Sequence, residues 1–110
     1  MELSYEDKVS YAEIKAIGRL NMVSAPKLRE FVAGIVAAGS NRIVVNLENT
    51  AFMDSSGLGA LIGCLKVARQ AGGDLRIAGV QPQVKMVLEL TSMDRVLTAY
   101  DSAEEAFGND

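Results

Sequence analysis

Three consecutive polar residues, Asp54, Ser55 and Ser56, stand just before the segment Gly57 to Gly63, GLGALIG. An acid and two small hydroxyls ahead of an apolar run form the pattern of a loop turning into a buried helix. Asp54 or Ser55 is suited to cap that helix, because a short oxygen-bearing side chain accepts from first-turn N–H groups that lack an intrahelical partner. The cap would hold both serines near solvent at the positive end of the helix dipole, where a phosphoryl group is electrostatically tolerated. Two roles are open to the hydroxyls. They are capping groups only, or they accept phosphate from another protein that brings its own catalytic machinery and metal ions.

Chemistry carried out by the chain itself has little support. There is no histidine, so the commonest general base and the commonest metal ligand are both missing. One cysteine and scattered acids assemble no metal-ligand set, and no cofactor motif is present. The GLG triplet is too short for a phosphate loop and is followed by no GKT or GKS. The chain therefore reads as a non-enzyme with neither metal nor cofactor.

A net charge of −3 over 110 residues lacks the clustered basic surface of a nucleic-acid binder and the polybasic run of a membrane tether. The 49% hydrophobic and 23% charged residues describe a globular chain with one core. No apolar run approaches the roughly 18 residues that span a bilayer, and MELSYEDK is acidic rather than a basic leader. A cytoplasmic location is expected, and a lone Cys64, read as a small buried core residue, agrees with a reducing compartment.

The elements that would position the acid and hydroxyls follow from periodicity. Two alternating segments, Glu2 to Tyr5 and Tyr11 to Ile17, read as a hairpin whose drier face carries Ala12, Ile14 and Ala16, with Gly18 ending it. Ser24 is placed as the cap of a helix with Pro26 in its first turn, a core stripe of Leu28, Phe31, Val32 and Ile35, and Gly39 closing it. Arg42 to Leu47, RIVVNL, reads as a central strand covered on both faces, leading into the Asp54 junction.

The following helix, from about Ser56 to Ala71, turns Leu58, Leu61, Ile62 and Leu65 inward. Gly59 and Gly63 lie one turn apart on another side, although glycine costs about 1 kcal/mol against alanine in a helix. Either they permit close packing within the fold, or they form a flat surface that a partner's backbone can approach. Asp74 to Ala78 gives a further strand. Pro82 opens a helix with Val84, Val87, Leu88 and Thr91 inward, Val96 to Ala99 gives a short edge strand, and Ser102 with Glu105 forms a capping box for a last helix through Phe107. The order predicts an α/β sandwich with a mixed sheet of four to five strands and about four helices, filling residues 1–110 as one domain.

The heptapeptide MDSSGLG, preceded by RIVVNLEN and followed by QAGGDLRIAGV, resembles the signature of the anti-sigma-factor antagonists, which are single STAS domains. The similarity runs from Gly18 to Phe107. It implies a STAS-like fold and a bacterial regulator whose unphosphorylated form binds an anti-sigma factor that is also a serine protein kinase, releasing the sigma factor. In that family the serine after the motif's aspartate is phosphorylated, which is Ser55 here, and a serine phosphatase resets the cycle.

Motif and helix stripe together nominate Asn21, Asp54, Ser55, Ser56, Gly57, Gly59 and Gly63 as the partner-binding set. One position departs from the family. Its members commonly carry Gly-x-Leu-Asp where this chain has Gly18, Arg19, Leu20 and Asn21, and asparagine contributes no negative charge. The departure bears on phosphorylation more than on binding, and it keeps open an alternative: a STAS interaction module or scaffold subunit that is not phosphorylated.

Overall fold

A computed structural model describes residues 1–108. The elements are β1 (Glu2–Asp7), β2 (Ala12–Leu20), α1 (Ala25–Ala37), β3 (Arg42–Met53), α2 (Ser55–Gln70), β4 (Asp74–Ala78), α3 (Pro82–Leu90), a 3-10 turn at Met93–Arg95, β5 (Ala99–Tyr100) and α4 (Ala103–Ala106). The five strands form one sheet in the order β1-β2-β3-β4-β5. The β1–β2 pair is antiparallel and the other three pairs are parallel, so the sheet is mixed, as the pattern predicts.

The main core lies between one face of the sheet and α1, α2 and α3. Ile14, Ile43, Val45, Leu47 and Ile77 from the strands meet Leu28, Val32, Leu61, Leu65, Val84 and Leu88 from the helices. On the opposite face a smaller cluster joins Val44 and Ala78 to Ala103, Ala106 and Phe107 of the last helical turn, with Tyr11 at its edge. The strand β3 is therefore apolar on both faces because both are covered there. Cys64 is buried at 1% exposure in the main core, and burial pushes its thiol up to about 11.

Several expectations are corrected. Strand β3 runs six residues past Leu47, and β2 continues through Gly18 to Leu20. The register explains why alternation conceals this: between Lys15↔Asn46 and Ile17↔Asn49, and again between Gly18↔Thr50 and Arg19↔Phe52, β3 takes an extra residue. Each bulge shifts the parity of the inward side chains. Thr50 is consequently buried, its hydroxyl donating to the Ala16 carbonyl at 2.8 Å, and Met53 is buried in turn. Gly18 adopts φ +122° inside the strand rather than ending it.

The last strand is Ala99–Tyr100, because Val96 closes the 3-10 turn. Thr91 is exposed at the C-terminus of α3, with its hydroxyl donating to the Val87 carbonyl at 2.7 Å. Ser24 does not cap α1 with its side chain, for a reason that belongs to the site.

Candidate functional site

The site forms where β2 and β3 end side by side. Leu20 pairs with Met53, and the Asp54 N–H donates to the Leu20 carbonyl at 3.2 Å. The chain then leaves the sheet along two routes, Asn21 into the turn before α1 and Asp54 into α2.

Asp54 is the N-cap of α2. Its backbone is extended (φ −107°, ψ −174°), and its carboxylate accepts from the Gly57 N–H at 2.9 Å. Of the two candidate caps the structure selects Asp54, which places Ser55 at the first helical position. Ser55 is exposed and Ser56 half-buried. Among the described residues neither hydroxyl has a hydrogen-bond partner, so neither is a capping group. Ser55 presents a free oxygen to solvent at the end of a helix whose first N–H groups point the same way.

Asn21 takes the capping role expected of Ser24. Its Oδ1 accepts from the Val23 N–H at 3.0 Å and the Ser24 N–H at 3.2 Å, while its own N–H donates to Ser24 Oγ at 2.9 Å. The Ala25 N–H donates to the Asn21 carbonyl at 2.8 Å, so helical bonding begins before the regular helix does. Ser24 Oγ, buried, donates to the Arg19 carbonyl at 2.7 Å. This reciprocal arrangement fixes the turn and carries Met22 and Val23 outward at 72% and 75% exposure. These two apolar side chains flank the site and escape periodicity analysis. Their signal in the sequence is a pair of large apolar residues inside a turn.

The three glycines of α2 serve different ends. Gly57 is buried, and a methyl group there would overlap the Leu20 carbonyl and lie 2.7 Å from its Cγ. Gly57 is thus a close-approach residue that lets the first turn of α2 rest on the end of β2, and its expected surface role is corrected. Gly59 is exposed and Gly63 half-buried, and a methyl at either would meet only the Arg29 guanidinium, at 3.6 and 3.7 Å. Packing within the chain does not require glycine at these two positions, so of their two readings the open surface is the one the geometry favours. Ser55, Gly59 and Gly63 follow at four-residue spacing along one side of α2, Asp54 and Ser56 flank the first of them, and Asn21 follows the end of the neighbouring β2; Ser55 and Gly59 are exposed, Asn21, Asp54, Ser56 and Gly63 half-buried, and Gly57 buried.

No group of three or more potential metal-ligating side chains exists among the described residues, nor is any described helix long and apolar enough to cross a membrane. The geometry suits docking of another macromolecule and modification of a displayed hydroxyl.

A model of the STAS domain family matches residues 6–106. The anti-sigma-B factor antagonist of Staphylococcus aureus (strain NCTC 8325 / PS 47) is 33% identical over 104 residues, which are 94% of each chain. A putative anti-sigma factor antagonist from Thermotoga maritima superimposes with a TM-score of 0.89 at 26% identity, covering 96% of this chain and 92% of that one. The Bacillus cell fate determinant SpoIIAA in its phosphorylated form shares the fold at a TM-score of 0.72 and 21% identity, over 97% of both chains.

Proposed function

The chain belongs to the STAS domain family, among the anti-sigma-factor antagonists, and from that premise we propose that it works by capturing an anti-sigma factor that is also a serine kinase. Capture frees the sigma factor for transcription. The kinase, using ATP and magnesium, then transfers phosphate to Ser55 and is released, and a serine phosphatase restores the starting state. The cycle takes place in the cytoplasm, and the chain contributes no catalytic group of its own. The observation that carries this reading is the Ser55 hydroxyl, exposed at the first position of α2 and without a hydrogen-bond partner among the described residues. Gly59 and Gly63 follow it one and two turns along α2, with the Arg29 guanidinium beside them.

Charge supplies the switch. Phosphorylation adds about −1.5 to −2 units at pH 7 beside Asp54. In an interface matched to a neutral hydroxyl, that dianion meets repulsion and desolvation together, at a cost of several kcal/mol, where each 1.4 kcal/mol is tenfold in affinity. The test is incubation of the chain with the kinase it captures and ATP, followed by intact mass and peptide mapping. One phosphate on Ser55 with loss of the complex supports the reading, and persistent binding without modification removes its second half.

Asn21 favours one alternative. With an amide where the family commonly has an acid, the site brings one negative charge fewer to the acceptor hydroxyl. In this second reading the chain is a docking module or scaffold subunit that holds its partner without being modified, and the same mass measurement separates the two.

A further inference from the structure

Strand β4 leaves β3 early. Its last pairing is Ala78 with Asn46, yet β3 continues for seven more residues to Met53. Along that stretch β2 covers one edge and, among the described residues, no strand covers the other, which would leave backbone groups bare beside the core.

Three side-chain amides take the missing strand's place. Asn46 Oδ1 accepts from the Glu48 N–H at 3.0 Å, and the Gln81 amide donates to the Glu48 carbonyl. At the far end Gln83, on the first turn of α3, makes a two-point contact. The Met53 N–H donates to Gln83 Oε1 at 2.8 Å, and Gln83 Nε2 donates to the Met53 carbonyl at 3.0 Å. A primary amide presenting its oxygen and NH₂ side by side copies the pairing of a neighbouring strand residue. Met53 is the last residue of β3, and the carbonyl that Gln83 binds belongs to the peptide leading into Asp54.

We propose that Gln83 is a positioning residue for Ser55: its amide closes the open edge of β3 at Met53 and so fixes the place from which Asp54 caps α2 and Ser55 meets a kinase. The inference rests on the reading of Ser55 as the phosphate acceptor. It adds a residue 28 positions away in sequence, on a helix that does not contribute to the displayed face. Transfer to a hydroxyl needs the oxygen in line with the phosphoryl group, and a misplacement of about 1 Å costs on the order of a hundredfold in rate.

The test compares the full native chain with Gln83→Ala and Gln83→Glu by residue-resolved amide exchange and by phosphorylation kinetics, with the kinase captured by the native chain as the probe. In Gln83→Ala the Met53 amide is expected to exchange about tenfold faster or more. Turnover at Ser55 should fall by about tenfold to a hundredfold while amide protection in α1 and β4 is unchanged.

Gln83→Glu supplies the discriminating arm and guards against an alanine variant that fails to fold. At neutral pH the introduced carboxylate has no hydrogen for the Met53 carbonyl, and repulsion between the two oxygens opens the two-point contact, so Met53 protection is expected to fall. Protonation restores a donor, so the Met53 protection factor should recover as pH falls through the carboxyl range, roughly 4–5. A side chain that only fills space would show no such recovery. Unchanged Met53 protection in Gln83→Ala, or lost protection with native turnover at Ser55, overturns the proposal. If the native chain captures no kinase, the reading of Ser55 fails by itself, and Met53 protection with the amide shifts of residues 54–57 still decides whether Gln83 positions this segment.

Discussion

Gly57 and Gly59 sit two residues apart in one helix, and alanine at the two positions should have opposite effects. At Gly57 the added methyl would overlap the Leu20 carbonyl oxygen and press on Leu20 Cγ at 2.7 Å. That oxygen belongs to backbone and already accepts from the Asp54 N–H, so it cannot yield as the end of a flexible side chain would. Overpacking of this kind costs about 1–3 kcal/mol. A stretched Asp54–Leu20 hydrogen bond costs about 1 more, and the better helix propensity of alanine returns about 1.

The net loss for Gly57→Ala is about 1–3 kcal/mol, or on the order of 5–15 °C in Tm for a chain of this size. At Gly59 the methyl meets only the Arg29 guanidinium, in ordinary contact at 3.6 Å. Propensity is then the main term, and Gly59→Ala should raise Tm by a few degrees. If the exposed side of α2 is the docking face proposed above, the same methyl should weaken capture of the partner. Thermal and urea unfolding of the two variants, with capture measured on each, checks both halves. A Gly57→Ala chain as stable as the native one would refute the close-approach argument, and Gly59→Ala binding at native strength would remove that glycine from the interface.

Ser55→Asp should reduce capture by about tenfold or more through charge at the interface while shifting Tm little, whereas Ser55→Ala should bind and take no phosphate; pulldown with mass analysis reads both. Asp54→Ala removes the cap bond to the Gly57 N–H and should cost about 1 kcal/mol in urea unfolding. Burial moves the Cys64 thiol from 9.0 to about 11, so between these values the unfolded chain releases the proton and the folded chain keeps it. Stability should therefore fall as pH rises above about 9 and level off beyond about 11, a slope that Cys64→Ala should abolish. In the native state Cys64 should also resist thiol reagents at pH 8 until the chain unfolds.

The parts of the fold legible in the sequence were those with a single reason for each residue. The apolar stripe of Leu28, Val32 and Ile35, the two-sided strand at Ile43 to Val45 and the prolines opening α1 and α3 each answer to one local rule. The acid and hydroxyls at residues 54–56 were legible too, because a capped helix after a buried strand leaves few other arrangements. What escaped depends on partners distant in sequence. The bulges opposite Ile17 and Arg19 break the alternation of β3, so its outer half looks like a loop until β2 lies beside it. Asn21 and Ser24 are both good capping residues, and which one acts is settled by the Arg19 carbonyl that engages the Ser24 hydroxyl. Gln83 reads as an ordinary polar helix residue, since nothing in α3 reveals that Met53 has lost its neighbouring strand.

These placements bear on how a phosphate at Ser55 could act without moving the fold. Within its own chain the dianion would stand in solvent at the first position of α2, near free N–H groups whose dipole favours it by about 0.3–1 kcal/mol. The adjacent acid, Asp54, is half-buried and hydrogen-bonded to the Gly57 N–H, and a phosphate on exposed Ser55 would have its repulsion with that carboxylate partly screened by solvent and salt. In a complex the same dianion would be stripped of water against a surface shaped for a hydroxyl. The difference between these environments is several kcal/mol, enough for a hundredfold or greater change in affinity with no second conformation of the chain. Switching by contact rather than by shape has a distinct signature. Amide shifts on phosphorylation should be confined to residues 54–59 and to the Asn21–Ser24 turn, and shifts spreading through β4 or α3 would require a two-state element that this arrangement does not need.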